Sequence, residues 1–327
     1  MYVGSEAEQE VAYQVLKYSI ERRSSRSVSV HHLGRSIQDT LPEFAQITDG
    51  LPTGTPFSLQ RFAIPDLQQR TGRAIYLDSD MQVFTDITSL WTQPMGEYGF
   101  LSAAARPGCS RPPQLSVMLI DCARVDWQVK DIVTDLRSDP GNYDAMFLEG
   151  RQLGAFAREL PWQWNALEHY QDGEVNLLHY TNMATQPWLS WQNPLSRIWF
   201  DEFFAWLADD AANLELVHRH IEKSWIRPSI AEQIEQQVGD PLLLPASARR
   251  RDSRQFVPPH AFFRSERMRM MTGYGSSKPR AWQVAGYRLV SHLRSMALNL
   301  GLYAAARQVR TFMSKLRRAL STGIGTR

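Results

Sequence analysis

The stretch Ala74-Ile75-Tyr76-Leu77-Asp78-Ser79-Asp80-Met81-Gln82-Val83 decides how this chain is read. A β-type apolar run feeds straight into two carboxylates one residue apart, and apolar chain resumes at once. Asp78 and Asp80 stand at i and i+2, so on an extended backbone they leave on the same side. Two like charges held that close repel unless a cation lies between them. Hard oxygen ligands at a strand end suit Mg²⁺ or Mn²⁺, ions that also bind substrate phosphates. Taken alone, Asp-Ser-Asp also reads as a polar turn, with an Asp capping the next helix.

Working outward, the chain alternates short apolar strands with helical segments. Tyr2 to Gly4 begins a strand and Glu8 to Arg22 reads as a helix with acids in its first turn. Ser27 to His31 alternates as a second strand. Ser58 to Thr71 looks helical, interrupted by Pro65. Phe100 to Ala104 and Ser116 to Asp121 read as strands, Trp127 to Trp164 as mostly helix and turn, and Asn176 to Tyr180 as a short apolar strand. This alternation predicts an α/β fold with a largely parallel sheet. In such sheets ligands bind at the carboxyl ends of strands, which is where the acidic pair falls.

A divalent cation usually needs more than two carboxylates. His179 in Leu177-Leu178-His179-Tyr180 also stands where an apolar strand ends, and imidazole beside carboxylates favours Mn²⁺ over Mg²⁺. A hydrogen-bonded core histidine is the other reading. His31 and His32 line a loop, and His169, His218, His220, His260 and His292 read as surface residues.

Length and charge limit the function classes. The chain has 327 residues, a net charge of +2 and 43% hydrophobic content, enough for one large domain with an appendage. A near-neutral balance and the lack of a recognised module argue against nucleic acid. The two cysteines make no disulfide framework, and a reducing, cytoplasmic setting is expected. The first residues lack the basic start and apolar run of a signal peptide, and no apolar stretch reaches membrane-spanning length. After Glu266 there is no Asp or Glu, while Lys and Arg recur to Arg327. Ala281 to Leu320 reads as helix with broad apolar surfaces, and its basic residues include Arg310, Lys315, Arg317 and Arg318. Two readings of this tail stand: a helix or helix pair lying in an anionic lipid interface at the inner face of a membrane, or helices packed on the preceding domain.

Arg73 through Phe84, with Asp86 and Leu90-Trp91, resembles the acidic motif of the family 8 glycosyltransferases. Tyr2-Val3-Gly4-Ser5 followed by Ser19-Ile20 is similar to that family's first strand and helix. Arg61 with Ile64-Pro65 resembles the helix before its motif, and Val117 to Asp121 its later strand. Leu160-Pro161, Trp164-Asn165 and His179-Tyr180 through Pro187-Trp188 resemble its closing motifs. Order and spacing agree over roughly residues 1 to 205.

The resemblance implies a GT-A, Rossmann-like mixed sheet flanked by helices over 1–205, and composition and charge add a helical and loop extension over 206–280 and a basic helical tail over 281–327. It implies a retaining hexosyltransferase using a nucleotide-diphosphate sugar, with Asp78, Asp80 and His179 as ligands of Mn²⁺ (or Mg²⁺). Val3, Gly4, Ser5 and Glu6 would cradle the base, and Arg61, Asn182 and Gln186 would take part in donor binding. Asp144, in Asn142-Tyr143-Asp144-Ala145, would face the donor sugar. The acceptor would be a saccharide or a lipid-linked glycan. The chain departs from the family at Gln186, where a Lys is usual, and at Gln114-Leu115-Ser116, where Asn-Ala-Gly is usual. Two other functions therefore stand beside transfer: a nucleotide-sugar-binding relative without catalysis, and a membrane-associated interaction protein.

Overall fold

The computed structural model describes residues 1–49, 51, 56–109, 111–139 and 142–259, together with 285, 286 and 289. The tail helices expected over 281–320 fall, but for those three residues, outside the described residues.

The strands are β1 (Tyr2–Gly4), β2 (His31–His32), β3 (Arg73–Asp78), β4 (Met81–Val83), β5 (Phe100–Ala103), β6 (Val117–Asp121), β7 (Phe156–Leu160), β8 (Ala166–Leu167) and β9 (Leu177–His179). The α-helices are α1 (Glu10–Glu21), α2 (Leu33–Thr40), α3 (Phe44–Thr48), α4 (Ile64–Leu67), α5 (Thr88–Trp91), α6 (Val129–Ser138), α7 (Asn142–Glu149), α8 (Ser196–Asp209), α9 (Ala211–Glu222), α10 (Ile230–Gln236) and α11 (Ala246–Gln255). Six strands form one sheet in the order β2-β1-β3-β6-β5-β7, and β4-β9-β8 form a second. In the larger sheet β1 is parallel to β2 and β3, β5 is parallel to β7, and β6 runs against both its neighbours. The architecture is thus the expected mixed α/β sheet flanked by helices.

The period-2 pattern of β3 explains how the sheet sits. Ala74 and Tyr76 join a core with Phe62, Phe100, Met118 and Trp127 on one face. Ile75 and Leu77 join Val3, Leu16, Ile20 and Leu119 on the other, under α1. Each apolar side chain buried this way contributes about 1.5–3 kcal/mol against exposure. A third core, built from Trp188, Trp199, Phe200, Phe203 and Ile230, joins the smaller sheet to α8 and α10.

Three local expectations change. The second strand is only His31–His32, not Ser27 to His31. The segment Trp127 to Trp164 contains β7, whose Phe-Ala-Arg-Glu-Leu run pairs only with β5 at the sheet edge. An edge strand keeps polar side chains in water, which blunts its apolar signal. His220 is 3% exposed rather than on the surface, packed edge-on against Trp225. Just before α5, the Asp86 carboxylate accepts the Thr88 N–H at 2.9 Å, while Ile87 stands at the N-cap position.

Candidate metal and diphosphate site

The acidic pair falls where the chain leaves one sheet for the other. Asp78 closes β3, opposite Gly4 of β1. Ser79 turns, its amide donating to Gly4 O at 3.0 Å and its hydroxyl to Gln9 Oε1 at 3.0 Å. Asp80 then precedes β4, which pairs antiparallel with β9 so that Met81 stands opposite His179. Tyr180 N–H donates to Asp80 O at 2.8 Å, fixing that register. Strand pairing therefore carries a residue about 100 positions away in sequence to the acidic turn.

As a result, His179 Nε2 is 3.0 Å from Asp80 Oδ1. One ligand atom each from Asp78, Asp80 and His179 lies within 4.8 Å of the others. Atoms about 2.1 Å from a shared cation are at most about 4.2 Å apart, so small side-chain rotations bring the set around one ion. Two carboxylate oxygens and an imidazole nitrogen are a borderline-hard donor set fit for a divalent metal.

The supporting contacts agree with that use. His179 is 2% exposed, and its Nδ1 lies 2.9 Å from Asn165 Oδ1. An amide oxygen can only accept, so Nδ1 donates in that contact, and with a dication between His179 and the acidic pair Nε2 would offer its lone pair to the metal. Asp78 Oδ1 accepts from Tyr76 Oη at 2.5 Å and from Arg61 Nη2 at 3.2 Å. Burial raises the Asp78 carboxyl above its ordinary value; Arg61 opposes that, Asp80 adds to it, and His179 and the Tyr76 hydroxyl oppose it. A bound dication would act in the same direction as Arg61.

Arg61 is 4% exposed and is therefore not a surface salt-bridge residue. It lies on the 3-10 segment Pro56–Ala63, donating through Nε to Ser58 O at 3.0 Å and through Nη1 to Leu115 O. Its guanidinium lies 4.3 Å from the Tyr76 ring centre and 5.1 Å from that of Phe147. The first strand delivers Val3, Gly4, Ser5 and Glu6 beside Asp78. A Cβ on Gly4 would stand 2.5 Å from Tyr76 Oη and 2.9 Å from Phe57, so glycine here makes room for the hydroxyl that holds Asp78. Burial, with the charge of Glu8, pushes the Glu6 carboxyl up to about 7 against the opposing Phe57 N–H.

The loop after His179 folds back onto the site. Gln186 is 1% exposed, and its Nε2 donates to Asp80 Oδ2 at 2.8 Å and to Tyr180 O at 3.0 Å. Asn182 is also buried, its side chain donating to Thr185 Oγ1 at 2.5 Å. Asp144 lies on α7, whose Tyr143 hydroxyl donates to Ser58 Oγ at 3.1 Å and so joins that helix to the Arg61 segment.

Three participants were missed in the sequence. Tyr76 had a signal, since it precedes Asp78 by two on one strand and shares its face. Asn165 sat inside a quoted motif but carried no role. Glu168 had no sequence signal: its backbone takes φ +52°, and its carboxylate accepts the Asn182 N–H at 2.6 Å. Burial raises its carboxyl too, and the Asn182 N–H, Arg111 and His179 oppose that. Left-handed backbone at a non-glycine residue costs about 1–3 kcal/mol and clusters at functional sites.

No family model matches the chain. It is 23% identical over 228 residues to Protein CDI of Arabidopsis thaliana, spanning 62% of this chain and 85% of that protein. Among solved structures it is similar to the galactosyltransferase LgtC in complex with donor and acceptor sugar analogs, at 14% identity and TM-score 0.43, over 57% of this chain and 88% of that one. It is also similar to the glycosyltransferase GlyE of Streptococcus pneumoniae TIGR4, at 17% identity and TM-score 0.44, over 69% and 64%. Mouse xyloside xylosyltransferase 1 aligns at 13% identity and TM-score 0.37, over 55% and 96%.

Proposed function

We propose that the chain is a Mn²⁺-dependent glycosyltransferase of GT-A type, resembling family 8, that moves a hexose from a nucleotide-diphosphate sugar with retention of configuration. One observation carries the reading: Asp78, Asp80 and His179, read from sequence as a ligand set, converge from separate strand ends. A divalent cation held there would neutralise a diphosphate and act as Lewis acid toward its departure.

The chain's own residues have definable parts in this reading. Asn165 fixes the His179 tautomer. Tyr76 and Arg61 favour the ionised form of Asp78 against the burial that raises its carboxyl, and the buried Arg61 guanidinium adds positive charge beside the place where phosphate would lie. Val3 to Glu6 flank the same strand end and take the base, while Asn182 and the loop around it close over the donor. Asp144 is assigned to the donor sugar.

A second reading, donor binding without transfer, is favoured by one contact. Gln186 is neutral, and its amide is spent on Asp80 and Tyr180 O. Hydrolysis of a panel of nucleotide sugars, with and without Mn²⁺, separates the two. A transferase releases sugar only with the metal, and Asp80→Asn abolishes that release while the fold remains. A binding relative retains the nucleotide and releases nothing. Sugar release by Asp80→Asn at the wild-type rate would refute the metal assignment.

The acceptor in this reading is a saccharide or a lipid-linked glycan reached at the inner face of a membrane. Support comes from the acid-free tail and from the exposed Leu242 and Leu243, 57% and 69% accessible, beside the arginine-bearing α11. No helix among the described residues is long and apolar enough to cross a membrane.

A further inference from the structure

Arg227 is fully buried, far from the acidic turn in sequence, and plays no part in the site as described so far. Burying a guanidinium costs several kcal/mol unless every donor finds a partner. Here the partners are specific. Nε donates to Pro187 O at 3.0 Å, Nη1 to Ser229 Oγ and Nη2 to Gln233 Oε1, and Asp252 Oδ2 lies 3.6 Å from Nη1. The Arg227 backbone N–H donates to Trp188 O at 2.9 Å. One residue thus grips two successive carbonyls of the loop that follows His179. Asp252, on α11, in turn holds Ser229 through its backbone N–H at 3.1 Å and through its hydroxyl.

The gripped carbonyls are adjacent to Gln186. That side chain reaches Asp80 Oδ2, one of the carboxylate oxygens of the ligand set. Backbone bonds from Leu189 and Ser190 to Gln186 O, at 2.8 and 2.9 Å, make residues 186–190 one short rigid turn. Rigidity at Pro187 and Trp188 is therefore rigidity at the Gln186 amide. An outer partner that orients a ligand tunes metal affinity.

We propose that Arg227 is a positioning residue for the metal site, acting through Pro187 and Gln186 on Asp80, so that the α10–α11 segment sets the affinity for the divalent cation. The inference rests on the metal-site reading above. It assigns a functional duty to a region that otherwise only packs on the core.

The test uses the full chain and Mn²⁺ alone, with binding read from the loss of the free-ion electron paramagnetic resonance signal. Wild type binds one Mn²⁺. Gln186→Met weakens binding by about tenfold. Arg227→Lys keeps the charge facing Asp252 but loses the planar fork, and it weakens Mn²⁺ binding in the same direction by a smaller factor. Because both act on Asp80 by one route, the Arg227→Lys/Gln186→Met double variant binds like Gln186→Met alone. Independent losses that multiply, or a folded Arg227→Lys that binds Mn²⁺ as wild type does, overturn the proposal. A wild type that binds no Mn²⁺ overturns the metal reading itself, which is a different failure.

Should Arg227→Lys not fold, reciprocity supplies the measurement on the wild-type chain. If the Arg227 anchor favours metal binding, Mn²⁺ must slow amide exchange at Arg227 and Gln233 more than along α6, which lies elsewhere in the fold. Equal slowing in both places, or none at Arg227 and Gln233, refutes the relay.

Discussion

Asn165 Oδ1 lies 2.9 Å from His179 Nδ1, both side chains buried, and this contact fixes which imidazole nitrogen faces the acidic pair. Asn165→Leu removes the acceptor at similar volume. His179 then samples the other tautomer, and Mn²⁺ affinity falls by about 10–100-fold with little loss of secondary structure. Isothermal titration with Mn²⁺ checks this. An unchanged dissociation constant would mean that the ring is oriented by packing alone.

Tyr76 shows the same logic on the other carboxylate. Its hydroxyl donates to Asp78 Oδ1, in the space that Gly4 leaves open. Tyr76→Phe keeps the ring against Arg61 and removes only the donor. A hydrogen bond to a charged group contributes about 1.5–3 kcal/mol, so urea unfolding at neutral pH should show the variant less stable by about that amount. The difference should shrink at acid pH, where Asp78 is protonated in the folded and unfolded chain alike. A pH-independent difference would show that the hydroxyl serves packing and not the charge.

Much of this was legible in the sequence because β-strands convert sequence spacing into direction. Asp78 and Asp80 meet across a bend at Ser79 between β3 and β4 and not along one extended strand, and His179 was recognisable from its place at the end of an apolar run. What sequence could not supply was pairing partners. That Met81 stands opposite His179, and that Asn165 approaches from behind the ring, depend on which strands meet. The burial of Arg61 was not legible, because a 3-10 segment has no strong apolar period to show which face is buried. The helical expectation over Ser58 to Thr71 is met by the 3-10 segment Pro56–Ala63 and then α4, and ends at Leu67 rather than at Thr71.

Glu6 makes stability depend on pH in a definite direction. Its carboxyl titrates near 4.5 in the unfolded chain and at about 7 in the folded one. Between those values the folded state holds a proton that the unfolded state has released, so stability is fully present below about 4.5 and is lost as pH rises through about 7. Glu6→Gln removes the titration. Relative to wild type, the variant should gain on the order of 2 kcal/mol between pH 4.5 and pH 8, allowing for partial exposure. Urea midpoints across that range are the readout. Parallel curves for the two proteins would place the Glu6 carboxyl in water.

The acid-free tail yields the last expected outcome. From Arg267 onward the chain carries Lys and Arg with no compensating acid. Each basic residue near an anionic bilayer contributes about 1 kcal/mol. Replacing Arg310, Lys315, Arg317 and Arg318 with Gln in the full chain should therefore reduce pelleting with phosphatidylglycerol vesicles by at least about tenfold. Pelleting with phosphatidylcholine vesicles should be weak for both proteins. High salt should reduce wild-type binding and leave the variant nearly unaffected, because screening acts only on charges that are present. Replacing the exposed Leu242 and Leu243 with Ser tests the apolar part separately, and that loss should persist in high salt. If the four-residue variant pellets like wild type, the basic end does not face lipid, and helices packed on the preceding domain become the reading that the charge pattern supports.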